Sequence, residues 1–279
     1  MIWQCTRYAI DLRRPQVMGI VNVTPDSFSD GGQHADTKTA LRHCEQLLQE
    51  GAQILDLGAE STRPGAAALP TKDELARLLP VVREAVKLGV PISVDTYKAE
   101  VMRSVLDLGV DIINDIWALR QPGAAAVVAS HGACGVCLMH MHRDPQTMQL
   151  EPMDGDAIAP VAEFLRGRAM ALEAAGVDHK RVMLDPGVGF GKTVAHNLQL
   201  LARQRELLAL GYPLLVGWSR KSTLGAVTGL DVQQRLAPSV AAALLAVQRG
   251  ASVVRVHDVQ ATVAALKLLE AVDGAATIA

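Results

Sequence analysis

The feature that most limits this chain is a set of eight short apolar runs, separated by segments with helical patterning. The runs are VMGIVNV (17–23), QILDLGA (53–59), ISVDT (92–96), DIINDI (111–116), VCLMHM (136–141), RVMLDPG (181–187), LLVGWS (214–219) and VVRVHD (253–258). Such runs suit strands buried on both faces, as in parallel sheets. Helical spacing is visible at 39–51, 73–89, 99–109, 158–176, 194–211 and 237–250. Gly51, Gly89, Gly109, Gly176, Gly211 and Gly250 stand where a helix ends in the left-handed conformation. Parallel neighbours need a crossover long enough for a helix, and every gap supplies one. Eight βα units in roughly 250 residues are what a closed (β/α)8 TIM barrel requires, here as a single domain over 1–279. An open doubly wound sheet is the competing arrangement.

Polar residues discriminate between the two. Asn22, Asp56, Asp95, Asn114, His140, Asp185, Ser219 and His257 each lie at or near the C-terminal end of one run. A single Asp or Asn after a strand is commonly a helix cap. Eight together fit the face where barrel enzymes keep their chemistry. Arg255 and His257 are two apart and project to one face, which pairs a cation with an imidazole and suits an anion.

Composition narrows the partners. Apolar residues make up 49% and aromatic ones only 3%, so Ala, Val, Leu and Ile must build the core. Lys plus Arg (27) nearly balance Asp plus Glu (29), which argues against nucleic acid or an anionic membrane and leaves a small polar substrate open. The MIW start meets Gln4 and Arg7 at once, no run reaches membrane-spanning length, and four scattered cysteines fit a reducing compartment, so a cytoplasmic protein is expected.

Two near-motifs are set aside. DPGVGFGKT (185–193) approaches a phosphate-binding loop, but Pro186 stands where the first glycine is needed. CGVC (134–137) with His140 and His142 suggests zinc, yet alternation sends Cys137 and His140 to opposite faces. The tract TPDSFSDGG (24–32) after the first run is polar and ends in two glycines. It reads either as a plain surface loop or as a mobile active-site loop.

NVTPDSFSDGG (22–32), ESTRPGA (60–66), SVDT (93–96), NDI (114–116), LMHM (138–141), DPGVGFGK (185–192), SRKS (219–222) and RVHD (255–258) occur in an order that closely resembles the dihydropteroate synthases. The resemblance runs from about residue 17 to 260. It implies that p-aminobenzoate displaces diphosphate from 6-hydroxymethyl-7,8-dihydropterin diphosphate to give 7,8-dihydropteroate, a step of folate biosynthesis and the target of sulfonamides.

Residue roles follow from that resemblance and from the chemistry each role demands. A pterin offers an amine, a ring N–H and a carbonyl, so Asp185 would accept from the donors, Asn114 would give and take along the neighbouring edge, and Lys221 would donate to the carbonyl. Phe190 and Met139 would pack on the ring. Departure of diphosphate leaves a cation delocalised into the pterin. Asp95 would face it electrostatically, and no dedicated general base is expected. Asn22, Arg255 and His257 would hold the diphosphate, with Mg²⁺ bridging phosphate oxygens and Asn22 as its protein contact. Catalytic work would fall to Asp95, Lys221, Arg255 and His257. Thr62, Arg63, Pro64, Phe28, Ser219 and Ser222 would form the p-aminobenzoate site, aided by a helix starting at SRKS. Asp56 and Glu60 would support the second loop without touching substrate. A homodimer through late helices, such as the Ala-rich 237–247 segment, is also implied.

Departures from the usual family pattern are HRD at 142–144, Ala59 in place of a more frequent Gly, and the bulky Trp117 and Trp218. None removes an expected ligand. Two other functions fit the same barrel: a pterin-binding methyltransferase, which has no need of the TPDSFSDGG and STRPG loops or of an anion site at Arg255 and His257, and a catalytically silent paralogue that binds pterins or a protein partner, against which Asn22, Asp95, Arg63, Lys221 and His257 speak.

Overall fold

A computed structural model of the chain describes residues 1–23, 32–61, 68–148 and 150–276, without the side chains of 32–36 and 276. An antiparallel hairpin, β1 (Ile2–Gln4) and β2 (Ala9–Asp11), comes first. Eight parallel strands follow: β3 (Gln16–Asn22), β4 (Ile54–Gly58), β5 (Ile92–Asp95), β6 (Ile112–Asp115), β7 (Gly135–Met139), β8 (Val182–Asp185), β9 (Leu214–Val216) and β10 (Ala251–Val256). They pair in chain order, and β10 pairs back onto β3 to close the barrel. Each lies within one of the eight apolar runs or overlaps it by all but a residue or two at the start.

Helices α1 (Gly32–Gln49), α2 (Thr71–Ala85), α3 (Ala99–Leu106), α4 (Ala124–His131), α5 (Ile158–Ala174), α6 (Val194–Ala202), α7 (Ser222–Thr228), α8 (Leu236–Gln248) and α9 (Val259–Ala276) join and follow the barrel strands. The six expected helical segments are present. The 194–211 segment splits into α6 and a 3₁₀ stretch over Gln204–Leu210. All six helix-end glycines have positive φ, between 75° and 101°. The α4 segment AAAVVASH has no polar face to mark a period, so its pattern gave no signal.

Alternation sorts the strand side chains into two sets. One set, including Val21, Leu57, Val94, Ile113, Leu138, Leu184 and Val254, packs outward against the helices. The inward set at the base, Met18, Ile54, Ile112, Cys137, Met183, Leu215 and Val253, packs with Trp3, Cys5, Ile10 and Leu12 of the hairpin. The hairpin thus plugs the barrel floor. Trp3 Nε1 donates to the Arg181 carbonyl at 2.9 Å, and Arg7 grips Asp111 through Nε (2.9 Å) and Nη2 (2.6 Å). Gly135 makes room for the plug, since a Cβ there would lie 2.7 Å from Cys5 Sγ.

Two residues further along the strands, the same inward rows read Ile20, Asp56, Asn114, Met139, Asp185 and Arg255. Asp95 takes the equivalent place above Ser93, because Asp95 is in register with Asn114. One step of the strand period therefore converts an apolar floor into a polar mouth.

Candidate active site

Asp56 sits completely buried at the centre of the mouth. Its Oδ2 accepts from Arg255 Nε at 2.6 Å and from Asn114 Nδ2 at 3.3 Å. Arg255 Nη2 in turn donates to Asp95 Oδ2 at 3.0 Å. Four side chains from β4, β5, β6 and β10 thus form one connected group. Burial pushes the Asp95 carboxyl up to about 7, against the pull of Arg255. Burial also works against the Arg255 charge, but Asp56 and Asp95 outweigh it and the guanidinium is held more firmly protonated than usual.

Asp185 closes β8, and its Oδ1 accepts the Gly187 N–H at 2.7 Å. Burial raises it to about 6 despite that bond and the cations Lys221, Lys192 and Arg255 around it. Lys221 directly precedes α7, and burial lowers its ammonium to about 8. Its Nζ lies 4.4 Å from the centroid of Phe190. Phe190 packs with Ile116, Met139, Met141 and Met148, and Tyr97 and Trp117 flank that cluster. The mouth therefore joins acceptors, two cations and a flat apolar wall, which suits a heterocycle carrying an anionic substituent.

Ser219 and His257 meet at the next strand ends. The Ser219 hydroxyl accepts the His257 backbone N–H at 3.2 Å and lies 3.0 Å from its Nδ1. Burial, with Arg220 and Arg255 nearby, lowers His257 to about 4, so the ring is neutral near pH 7. Ser222 opens α7, beside Lys221. Arg220 is turned away from this pair and bonds Asp258 at 2.5 and 3.1 Å. Asn22 ends β3 with its side chain exposed, opposite Gly58.

Of the expected site residues, Phe28, Thr62, Arg63 and Pro64 lie outside the described residues, as does the polar tract 24–31. Glu60 stands at the stem of the second loop. It binds Lys98 and accepts from the Tyr97 hydroxyl at 2.8 Å, while Lys98 also binds Glu74 at 2.5 Å. These bonds join Glu60, Lys98, Tyr97 and Glu74 into one network; the loop that Glu60 is expected to support lies outside the described residues. The described contacts of Asp56, for which the same support is expected, are Arg255 and Asn114 within the mouth.

His140 is near a strand end by sequence but faces away from the mouth. It follows Met139, which points inward, so its ring is turned to the helix side, 5.0 Å from Phe164 and 2.8 Å from Lys192 Nζ. Cys137 lies inward in the barrel floor, on the opposite face. Lys192 carries no signal along the chain beyond its place in the incomplete phosphate-loop pattern, and its contacts arise only in three dimensions. Its buried Nζ bonds the carbonyls of Gly187 (2.9 Å) and Phe190 (3.1 Å) as well as His140, and burial lowers it to about 7. The lysine of DPGVGFGK therefore holds its own loop closed around Asp185 and Phe190. Among the described residues, no group of three His, Cys, Asp or Glu side chains is placed to hold a metal.

Comparison with known proteins agrees with this geometry. The model of the family described as "Pterin binding enzyme" matches residues 18–257. The chain is 52% identical over 274 residues to a dihydropteroate synthase of Neisseria meningitidis serogroup C, covering 97% of each. A solved dihydropteroate synthase of Xanthomonas albilineans with 4-aminobenzoic acid superposes with a TM-score of 0.91, at 50% identity and 98% coverage of both chains. A Burkholderia cenocepacia dihydropteroate synthase complexed with 7,8-dihydropteroate gives a TM-score of 0.90 at 49% identity, over 99% of this chain and 97% of that one.

Proposed function

The chain belongs to the dihydropteroate synthases, among the pterin-binding enzymes, and from that premise we propose how its barrel mouth carries out the reaction. The substrates are 6-hydroxymethyl-7,8-dihydropterin diphosphate and p-aminobenzoate, and the products are 7,8-dihydropteroate and diphosphate. The observation that carries the reading is the connected group of Asp56, Asp95, Asn114 and Arg255, beside Asp185 and Lys221, in one cup.

Asp185 accepts from the pterin amine and adjacent ring N–H, Asn114 serves the neighbouring edge, and Lys221 donates to the carbonyl. Phe190 and Met139 cover the ring. The C–O bond to diphosphate breaks with its electron pair going to the leaving group. Asp95 stabilises the positive charge left on the pterin methylene, while Arg255, His257 and Asn22 receive the anion. The arylamine nitrogen then forms the C–N bond and releases a proton to solvent. Ser219 and Ser222 hold the benzoate carboxylate, assisted by the positive start of α7; Thr62, Arg63, Pro64 and Phe28 complete this side. Mg²⁺ would be held mainly by phosphate oxygens, with the hard amide oxygen of Asn22 as its protein donor, and would neutralise the leaving group. Sulfonamides, which also present an arylamine opposite an acidic group, compete for the p-aminobenzoate site.

Cytoplasmic location is supported by the four buried free cysteines, Cys5, Cys44, Cys134 and Cys137. Among the described residues, no helix is long and apolar enough to cross a membrane. A homodimer is supported by exposed apolar side chains on the late helices, including Val227, Leu236, Leu245, Leu268 and Val272.

The test is to incubate the purified protein with dihydropterin diphosphate, Mg²⁺ and p-aminobenzoate. Diphosphate and dihydropteroate should appear in equal amounts, and release of diphosphate without dihydropteroate would refute the assignment.

A further inference from the structure

Asp56 is fully buried and touches neither substrate in the reaction described above. A single oxygen, Oδ2, receives both Arg255 Nε at 2.6 Å and Asn114 Nδ2 at 3.3 Å, so one carboxylate links the side chain assigned to diphosphate with one assigned to the pterin edge. Its Oδ1 has no hydrogen-bond partner among the described residues. A buried carboxylate with one oxygen unused is costly, and a tight charge-assisted bond on the other is what offsets that cost.

The geometry divides the guanidinium into two edges. Asp56 takes Nε, on the buried side, and Asp95 takes one hydrogen of Nη2. Of the five N–H groups that the arginine fork carries, those remaining on the Nη atoms are the ones able to meet phosphate oxygens. The Arg255 side chain keeps 22% of its surface exposed while that of Asp56 has none, so the arginine, not the carboxylate, is the member of the pair open to a ligand.

We propose that Asp56 is a positioning residue: by holding Nε it turns the Nη edge of Arg255 toward the departing diphosphate, and by sharing the same oxygen with Asn114 it ties that orientation to the pterin pocket. The proposal rests on the reading that Arg255 contacts diphosphate.

The test measures binding of the dihydropterin diphosphate ester and of unesterified 6-hydroxymethylpterin, by calorimetry, to wild type, Asp56→Asn, Arg255→Gln and the double variant. Asp56→Asn should weaken the ester by about tenfold and the free pterin by less than about threefold, the scale of one charge-assisted bond. In the Arg255→Gln background the same change should alter ester affinity by less than about twofold, because a residue acting through Arg255 has nothing left to act on. Equal losses for both ligands, or the same loss in both backgrounds, would reduce Asp56 to a structural counter-charge and overturn the proposal alone. Unchanged ester affinity in Arg255→Gln would overturn the diphosphate reading and the proposal with it. Should Arg255→Gln fail to fold, nitrogen-15 NMR of the Arg255 Nε–H decides the matter: Asp56→Asn should abolish its protection from exchange, and an unaltered signal counts against the link.

Discussion

The Lys221 ammonium stands 4.4 Å from the centroid of the Phe190 ring, although the two belong to loops after different strands. Asn197 couples those loops. Its Oδ1 accepts the Gly189 N–H at 2.8 Å, and its Nδ2 donates to Thr223 Oγ1 at 2.9 Å. Phe190→Leu keeps the apolar wall but removes the flat face, so the pterin dissociation constant should rise by about tenfold, the scale of an aromatic contact beyond its area. Titration of pterin fluorescence checks this, and an unchanged constant would take Phe190 off the ring.

Asp95 is held beside Arg255 and Asp56, and in the proposed reaction its charge acts when the pterin becomes cationic. Asp95→Asn preserves shape and removes charge. Turnover should fall by about 10²–10³-fold while pterin affinity changes by less than about threefold. Equal losses in single-turnover rate and in affinity would argue against charge stabilisation.

The pH dependence has a definite sign. In the proposed roles Asp185 accepts from the pterin only when ionised and Lys221 donates only when protonated; burial raises the first to about 6 and lowers the second to about 8. The rate at limiting pterin substrate should therefore rise from about 6 to about 7, as Asp185 and then Asp95 ionise, and fall through about 8 as Lys221 loses its proton. Lys221→Arg should move the alkaline limb upward. Without ligand the raised carboxyls act on stability in the opposite sense. The native state binds their protons more tightly than the unfolded chain, so this contribution is complete below the ordinary 3.8 and is lost as pH rises through about 6 for Asp185 and about 7 for Asp95. Denaturation midpoints at pH 4, 6 and 8 would test it.

Gly187 permits the loop that Lys192 closes. Its φ is +68°, and a Cβ there would fall 1.9 Å from the His140 carbonyl oxygen. Gly187→Ala must displace the backbone joining Asp185 to Phe190. The expected result is loss of measurable pterin binding with a stability cost of about 1–3 kcal/mol; near-normal binding by calorimetry would show that the loop yields without moving its side chains.

The barrel floor should separate stability from catalysis. Trp3 is wholly buried in the hairpin plug, at the end of the barrel opposite the mouth. Trp3→Ala should cost about 3–5 kcal/mol in denaturant melts and leave turnover within about twofold at low temperature. A large loss of turnover in a folded variant would mean that the plug shapes the mouth.

Much of this architecture was legible along the chain because strand and helix periods are local properties. The eight runs, the helix-end glycines and the polar residue following each strand all depend on neighbours a few positions away. Arg255 and His257 could be placed on one face by counting two. The hairpin was not legible, since three-residue strands are too short to show a period and Trp3 packs in a cluster drawn from distant barrel strands. His140 was misleading because adjacency to an inward residue sends the next side chain outward.

The amino-acid order by itself determined the strands, their inward rows and the change from apolar floor to polar mouth, since a two-residue step fixes which side of a strand a side chain takes. Only the closed barrel decided that Asp56 would meet Arg255 across 199 positions, and that Lys192 would clasp its own glycine loop. Those contacts depend on how strands stagger around the cylinder and how long side chains bend across it, and no local period carries that information.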